Sequence, residues 1–211
     1  MKKLICFDLD GTLLNTNKLH FVTFNEAFKK NSLRKVKYKE ISHLFGLVKE
    51  KIVKMLFPGL DENKLKKILN DKNEFTLKES YKFVKIFFGV KKSLIILKKR
   101  YDLGIVSNCS HKEIITLLRD VGIDLKLFSV VVGDDDVIRG KPYPDEIFKA
   151  KKISGLNVEY MVGDTIYDIM AGKKAGVKTI GVLTGVHNKK ILEKGKPWKI
   201  VKSVRDLPKY I

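Results

Sequence analysis

The sequence predicts an α/β protein: a parallel sheet covered by helices on both faces, interrupted early by an all-helical insertion. Three observations predict it. Beyond Lys85, short apolar, β-branched runs alternate with amphipathic stretches, the spacing of strand–helix units in a parallel sheet. Between residues 15 and 85 the apolar residues fall at helical spacing instead. Polar clusters then stand where several of the predicted strands end.

The first strand runs from Leu4 to Phe7 and is closed by Asp8-Leu9-Asp10-Gly11-Thr12. The insertion reads as several helices, marked by Leu19, Val22, Phe24, Ala27 and Phe28, by Ile52, Val53 and Leu56, and by Leu65, Ile68 and Leu69. Pro58-Gly59 breaks it once. A helix follows over Val90 to Tyr101, then a strand over Leu103 to Val106 ended by Ser107-Asn108. His111 to Val121 fits a helix stopped by Gly122, and Phe128 to Val132 a β-branched strand. Pro144 to Ile153 fits a helix, and Tyr160 to Val162 a strand ending in Gly163-Asp164. Ile166 to Ala175 is a helix stopped by Gly176, followed by a strand over Lys178 to Leu183. No internal repeat and no low-complexity linker is present.

Composition narrows the function classes. With 211 residues and 44% hydrophobic content, the chain can build one domain, or one domain with a smaller insert. No window approaches 18 uncharged apolar residues, so no membrane-spanning helix and no membrane partner is expected. The N-terminus begins like a signal peptide, but Asp8 and Asp10 interrupt its apolar run, so no export signal is expected. Cys6 and Cys109 form no disulfide framework, and a reducing, cytoplasmic location is the expectation.

The net charge is +19, from 43 basic and 24 acidic residues, which invites a nucleic-acid reading. Arg supplies bidentate base and phosphate contacts, yet only five of the basic residues are Arg. A solvated lysine surface is therefore the expectation, and nucleic acid is not expected as a partner. The insertion carries 17 basic and 8 acidic residues, making it about twice as basic per residue as the remainder.

In open α/β sheets, ligands bind outside the carboxyl ends of the strands. Asp8 and Asp10, Ser107 and Asn108, and Asp164 all stand at such ends. Asp168, four residues after Asp164, shares a helix face with it. Carboxylates packed together raise one another's pKa. A hard divalent cation resolves this, and all-oxygen ligation favours Mg²⁺, which usually works with a phosphate ligand. A hydroxyl, an amide and a cation (Ser107, Asn108, Lys141) are the groups that hold the remaining phosphoryl oxygens. One carboxylate can then attack phosphorus, and a second can protonate the leaving oxygen and activate water.

Four segments resemble the haloacid dehalogenase-like hydrolase superfamily, in its phosphoglycolate phosphatase and β-phosphoglucomutase-like branch. They are Phe7-Asp8-Leu9-Asp10-Gly11-Thr12-Leu13-Leu14, Val106-Ser107-Asn108, Gly140-Lys141-Pro142-Tyr143-Pro144 and Val162-Gly163-Asp164-Thr165-Ile166-Tyr167-Asp168. The resemblance implies a Rossmann-like three-layer core over residues 1–14 and 86–211, with a helical cap over 15–85. It implies Asp8 as nucleophile and Mg²⁺ ligand, and Asp10 as general acid/base with its carbonyl on the metal. Ser107, Asn108 and Lys141 would hold the phosphoryl group, Asp164 would ligate Mg²⁺, and Asp168 would support the metal from behind. The implied activity is a phosphatase acting on a small phosphorylated substrate. Dehalogenases of the superfamily lack a carboxylate at the position of Asp10, so its presence favours phosphoryl transfer. A sugar-phosphate mutase uses the same carboxylates and stays open, as does, more distantly, a nucleic-acid binder on a retired hydrolase scaffold. The protein is expected as a monomer or a homodimer.

Weaker expectations concern the surroundings. His20, on the first cap helix, is expected to face the site, and Lys49, near the cap's specificity loop, to meet an anionic leaving group. Asp134, Asp135 and Asp136 read as a solvated loop, Cys109 as an inert small residue, and Trp198 as packing the C-terminal segment onto the core. A basic cap over a phosphate site would steer anionic substrates inward.

Overall fold

A computed structural model describes residues 2–211. The parallel α/β architecture expected from the sequence is present. Its elements are β1 (Leu4–Phe7), β2 (Leu14–Asn15), α1 (Asn17–Lys30), α2 (Tyr38–Ile41), α3 (Lys49–Leu56), α4 (Glu62–Phe83), β3 (Lys85–Ile86), α5 (Val90–Lys98), β4 (Asp102–Val106), α6 (His111–Asp120), β5 (Val130–Val132), α7 (Asp145–Ser154), β6 (Val158–Gly163), α8 (Ile166–Lys174), β7 (Lys178–Val182), α9 (Lys189–Lys194) and β8 (Lys199–Val201). Six strands form one sheet in the order β5-β4-β1-β6-β7-β8, every pairing parallel.

The period-2 alternation of β1 explains the three layers. Ile5 and Phe7 face one side, where Val90, Leu94 and Leu97 of α5 and Ile114, Leu117 and Leu118 of α6 cover them. Leu4 and Cys6 face the other, against Ile147 and Ala150 of α7 and Ala171 of α8. A strand buried on both faces reads as an unbroken apolar run, which is why Leu4 to Phe7 shows no polar alternation.

The insertion has an apolar cluster of its own. Phe24, Ala27 and Phe28 of α1 meet Ile52 and Val53 of α3 and Leu65 and Ile68 of α4, with Tyr167 and Val186 of the sheet region packed against them. The chain leaves and re-enters the sheet region through a two-stranded antiparallel ribbon, Leu14 opposite Ile86 and Asn15 opposite Lys85. The pattern missed this ribbon because two residues per strand leave no periodicity to read. It also missed α9 and β8, the latter a three-residue strand, Lys199-Ile200-Val201, too short to show a period.

Two expectations about local packing are corrected. Asp134–Asp136 form a 3₁₀ turn rather than a solvated loop. Asp135 Oδ1 accepts from the His111 amide at 2.7 Å, and Asp136 Oδ2 accepts from the Gly133 amide at 2.8 Å. Asp135 thereby satisfies a free donor at the start of α6, and Asp136 one at the start of its own turn. Trp198 is tied down by its own amide, which donates to Thr179 O at 2.8 Å, but its ring stays 46% exposed beside Tyr160. Cys6 and Cys109 are both free and buried. Among the described residues, no helix is long and apolar enough to cross a membrane.

Candidate active site

The strand order places β1 between β4 and β6, so the chain switches direction across the sheet at β1. In such sheets the crevice at the switch point is the binding site. Phe7 lies opposite Ile105 on one side and Val162 on the other. Asp8, one residue on, is therefore flanked by the turn carrying Ser107 and Asn108 and by the turn carrying Asp164. Its amide donates to Val162 O at 2.8 Å, which fixes the backbone at the sheet edge.

Gly11 makes the turn after Asp8 possible. Its φ is +74°, and a Cβ there would lie 2.6 Å from Asp164 Oδ2. The tight turn brings Thr12 back over the site, where its hydroxyl lies 3.1 Å from both Asp8 Oδ2 and Asp164 Oδ1.

Lys141 is the electrostatic centre. Its ammonium donates to Asp8 Oδ1 at 2.6 Å, Asp168 Oδ1 at 2.7 Å and Val106 O at 3.1 Å, so all three of its donors are used. The side chain is only 2% exposed. Burial alone would discharge this lysine, but Asp168 and Asp8 outweigh it and hold its pKa well above the usual range. Asp168 is fixed from behind by the start of α8. Its Oδ2 accepts from the amide and the hydroxyl of Thr165 at 2.9 and 2.6 Å, a capping box that aims the carboxylate at Lys141.

Asp8, Asp164 and Asp168 each offer an oxygen within 4.8 Å of the others. Lys141 neutralises one of these three charges, which leaves a surplus of two negative charges. The surplus shows in the proton affinities. Burial, with Asp168 and Asp10 adding to it and Lys141 opposing, pushes Asp8 up to about 7. Burial, then the charges of Asp8 and Asp168, pushes Asp164 well above the carboxylate range. A hard divalent cation matches both the charge and the oxygen donors, so this set fits Mg²⁺.

Asp10 sits in a second group. His20 Nε2 lies 3.1 Å from its Oδ1, and the Cys109 thiol donates to its Oδ2 at 2.8 Å. Burial would raise this carboxyl, but His20 and the thiol hold it well below the usual range. Cys109 is thus a hydrogen-bond donor to Asp10 rather than an inert filler. Burial pushes its own pKa well above the ordinary thiol value.

The remaining expected residues divide. The Ser107 side chain lines the cleft and accepts the Cys109 amide at 3.3 Å. The Asn108 amide is turned away from the carboxylates. Its Nδ2 donates to Gly46 O at 2.7 Å and Lys141 O at 3.1 Å, joining the insertion to the core, while its Oδ1 is buried without a partner. His20 lines the cleft as expected. Lys49 also lines it, but its ammonium is engaged at 2.8 Å with Glu113 Oε2 and at 3.1 Å with Asn73 Oδ1. The cleft between insertion and sheet edge is small, about 50 Å³, where a single water needs about 10–15 Å³.

Sequence reasoning missed several side chains here. Thr165 carried a signal, the T-x-x-D capping pattern opening α8. Thr12 stood inside the first motif. Lys72 carried a subtler one: it falls on the inward row of α4 four residues after Ile68, a charge inside an apolar stripe. Glu113 carried only its place in a capping box with Ser110.

The carboxylate–lysine set lies at the switch point of a parallel sheet, where ligands bind in such folds, and comparison with known proteins identifies the family. A sequence profile for haloacid dehalogenase-like hydrolases matches residues 5–182. The chain is 32% identical to "Pyrophosphatase PpaX" of Oceanobacillus iheyensis, covering 96% of this chain and 94% of that protein. Among solved structures, one from Bacteroides fragilis titled as a haloacid dehalogenase-like hydrolase superposes with a TM-score of 0.90 at 20% identity, covering 98% of this chain and 100% of the other. One from Haemophilus somnus titled "a predicted phosphoglycolate phosphatase" gives 0.86 at 26% identity, covering 99% of this chain and 97% of the other. The protein belongs to the haloacid dehalogenase-like hydrolase family, and it is an enzyme.

Proposed function

We propose that the protein is a Mg²⁺-dependent phosphatase that hydrolyses a small phosphorylated substrate through an aspartyl-phosphate on Asp8. The observation that carries this reading is the convergence of Asp8, Lys141, Asp164 and Asp168 at one sheet edge with a surplus of two negative charges. Asp8 and Asp164, with the main-chain carbonyl of Asp10, would hold the cation. When bound, Mg²⁺ supplies charge neutralisation for the phosphoryl oxygens.

Asp8 is the nucleophile: one carboxylate oxygen attacks phosphorus, the bond to the leaving oxygen breaks, and an acyl phosphate forms. Lys141 offsets charge on Asp8 and on the incoming phosphoryl group, and Asp168 aims Lys141 without touching substrate. Thr12 spans Asp8 and Asp164 and keeps them in register. Ser107 takes a phosphoryl oxygen, and Asn108 does so once its amide leaves Gly46. Asp10, ionised beside His20 and Cys109, is the base that draws a proton from the attacking water. Before it can protonate a leaving oxygen it must take up a proton, and His20 Nε2 is placed to supply one.

Residues 15–85 act as a cap on the core of 1–14 and 86–211, and the ribbon of β2 and β3 is the hinge. Closure shuts out bulk water. The name of the Oceanobacillus relative adds inorganic pyrophosphate to phosphoglycolate as a substrate to try.

Purified protein is expected to release phosphate from small phosphorylated substrates with Mg²⁺ and to stop when EDTA is added. Asp8→Asn is expected to abolish turnover and acid-stable labelling by a ³²P-substrate while circular dichroism stays unchanged. Substantial remaining turnover would remove Asp8 from the nucleophile role.

A further inference from the structure

A second group of ligand-type side chains stands beside the carboxylate–lysine set and differs from it in kind. Asp10, His20 and Cys109 each offer one donor atom, and these atoms lie within 4.8 Å of one another. The donors are an oxygen, an imidazole nitrogen and a sulfur, and three separate parts of the chain supply them. Asp10 stands in the turn after β1, Cys109 in the turn after β4, and His20 on α1 of the insertion. His20 Nε2 is 3.1 Å from Asp10 Oδ1, and Cys109 Sγ is 2.8 Å from Asp10 Oδ2. A tetrahedral Zn²⁺ with ligands at about 2.0–2.3 Å holds its donors about 3.3–3.5 Å apart. Small side-chain shifts therefore suffice to centre a cation among the three.

A second observation points to a cation at this place. Asp10 Oδ1 is buried, yet among the described residues it makes no well-formed hydrogen bond, despite the nearness of His20. A buried carboxylate oxygen without a donor is costly unless a positive charge meets it. The neighbouring carboxylate, Glu113, does not compete, because Lys72 holds it at 2.6 Å and Lys49 at 2.8 Å. Asp10, His20 and Cys109 all line the cleft, so the fourth position of a tetrahedron opens into it.

Softness separates this group from its neighbour. Asp8, Asp164 and Asp168 offer oxygen alone and suit a hard ion, whereas a thiolate with an imidazole selects Zn²⁺ over Mg²⁺. As the S–Zn bond forms, the thiol proton leaves to solvent. Thiolate and carboxylate together then balance the charge of the ion.

We propose that Asp10, His20 and Cys109 form an inhibitory Zn²⁺ site that pins the insertion to the core. The binding stands on these residues alone. The inhibition rests on the phosphatase reading, in which Asp10 is the base and the insertion acts as a moving cap.

Co²⁺ serves as the visible probe, because thiolate ligation gives an intense near-ultraviolet charge-transfer band that oxygen ligands lack. With excess Mg²⁺ filling the carboxylate set and the thiols kept reduced, one equivalent of Co²⁺ is expected to raise this band, and Zn²⁺ to remove it. Cys109→Ser is expected to abolish the band. His20→Gln is expected to weaken Zn²⁺ binding about 10-fold or more, the least that losing even an outer partner costs at a metal site. In turnover of 4-nitrophenyl phosphate at saturating Mg²⁺, the Zn²⁺ concentration for half-inhibition is expected to rise about 10-fold or more in each variant. Each is read against that variant's own rate without Zn²⁺. A wild type with no band, or a band that survives in Cys109→Ser, would overturn the site. Half-inhibition at the same Zn²⁺ concentration in all three proteins would overturn its inhibitory role. Wild type that turns over neither 4-nitrophenyl phosphate, phosphoglycolate nor pyrophosphate with Mg²⁺ would overturn the phosphatase reading, and the Co²⁺ band would still decide the site.

Discussion

Lys141→Met offers the sharpest test of the charge balance at the sheet edge. The substitution keeps most of the side-chain volume but removes the cation serving Asp8, Asp168 and the Val106 carbonyl. Breaking one partner out of a buried ion pair costs about 3–5 kcal/mol. For a chain of this length, each kcal/mol moves Tm by roughly 2–4 °C, so a fall of about 6–20 °C is expected in EDTA. The cost depends on pH with a definite sign. Below about 7, folded Asp8 holds a proton with or without Lys141, so Asp8 adds nothing to the difference. Above about 7, Asp8 of the wild type ionises beside Lys141, whereas in the variant it must stay protonated or be buried as an unpaired charge. The gap between the two proteins therefore widens as pH rises through neutrality. Thermal melts followed by circular dichroism, in EDTA across that range, measure it directly. Saturating Mg²⁺ is expected to close part of the gap by supplying the missing positive charge. A loss under about 1 kcal/mol, well below the buried-pair range, or a gap that does not change with pH, would refute the reasoning.

Glu146 is buried with no partner for either carboxyl oxygen, and burial pushes it up to about 8. The folded state keeps a proton that the unfolded chain releases, so its contribution to stability falls as pH rises from 4.5 to about 8. Glu146→Gln is expected to flatten that slope in urea titrations, and an unaltered slope would contradict the assignment. Gly46 has φ +94°, and a Cβ there would meet Thr165 Cγ2 at 2.6 Å. Gly46→Ala is expected to cost about 1 kcal/mol or more in stability and to lower kcat/KM by holding the insertion off the core. Wild-type kcat/KM in that variant would count against closure as a requirement. If the basic insertion steers anions inward, kcat/KM falls with added salt; a salt-independent value would assign those lysines to solvation alone.

The sequence by itself determined the sheet, the place of the insertion, and the carboxylates and lysine that meet at Asp8. The sheet, the insertion and the carboxylates were legible because each rests on local physics, whereas Lys141 was found through the resemblance of Gly140-Lys141-Pro142 to a family motif. Strand and helix periods repeat within a few residues, and a polar residue just after a buried strand is already at the sheet's carboxyl edge. Even the T-x-x-D box that orients Asp168 is written within four residues. Only the tertiary structure decided which charges neutralise one another. Lys72 and Glu113 are 41 positions apart, and neither flanking sequence specifies the other. The same holds for Asn108, whose amide reaches a carbonyl 62 positions away on Gly46 because the insertion lies against the core. Of the surplus positive charge that stands out in the composition, the site contains only Lys141, Lys49 and Lys72. What makes those three different is burial: removed from water, an ammonium must find acceptors, and where they lie is fixed by how the helices pack.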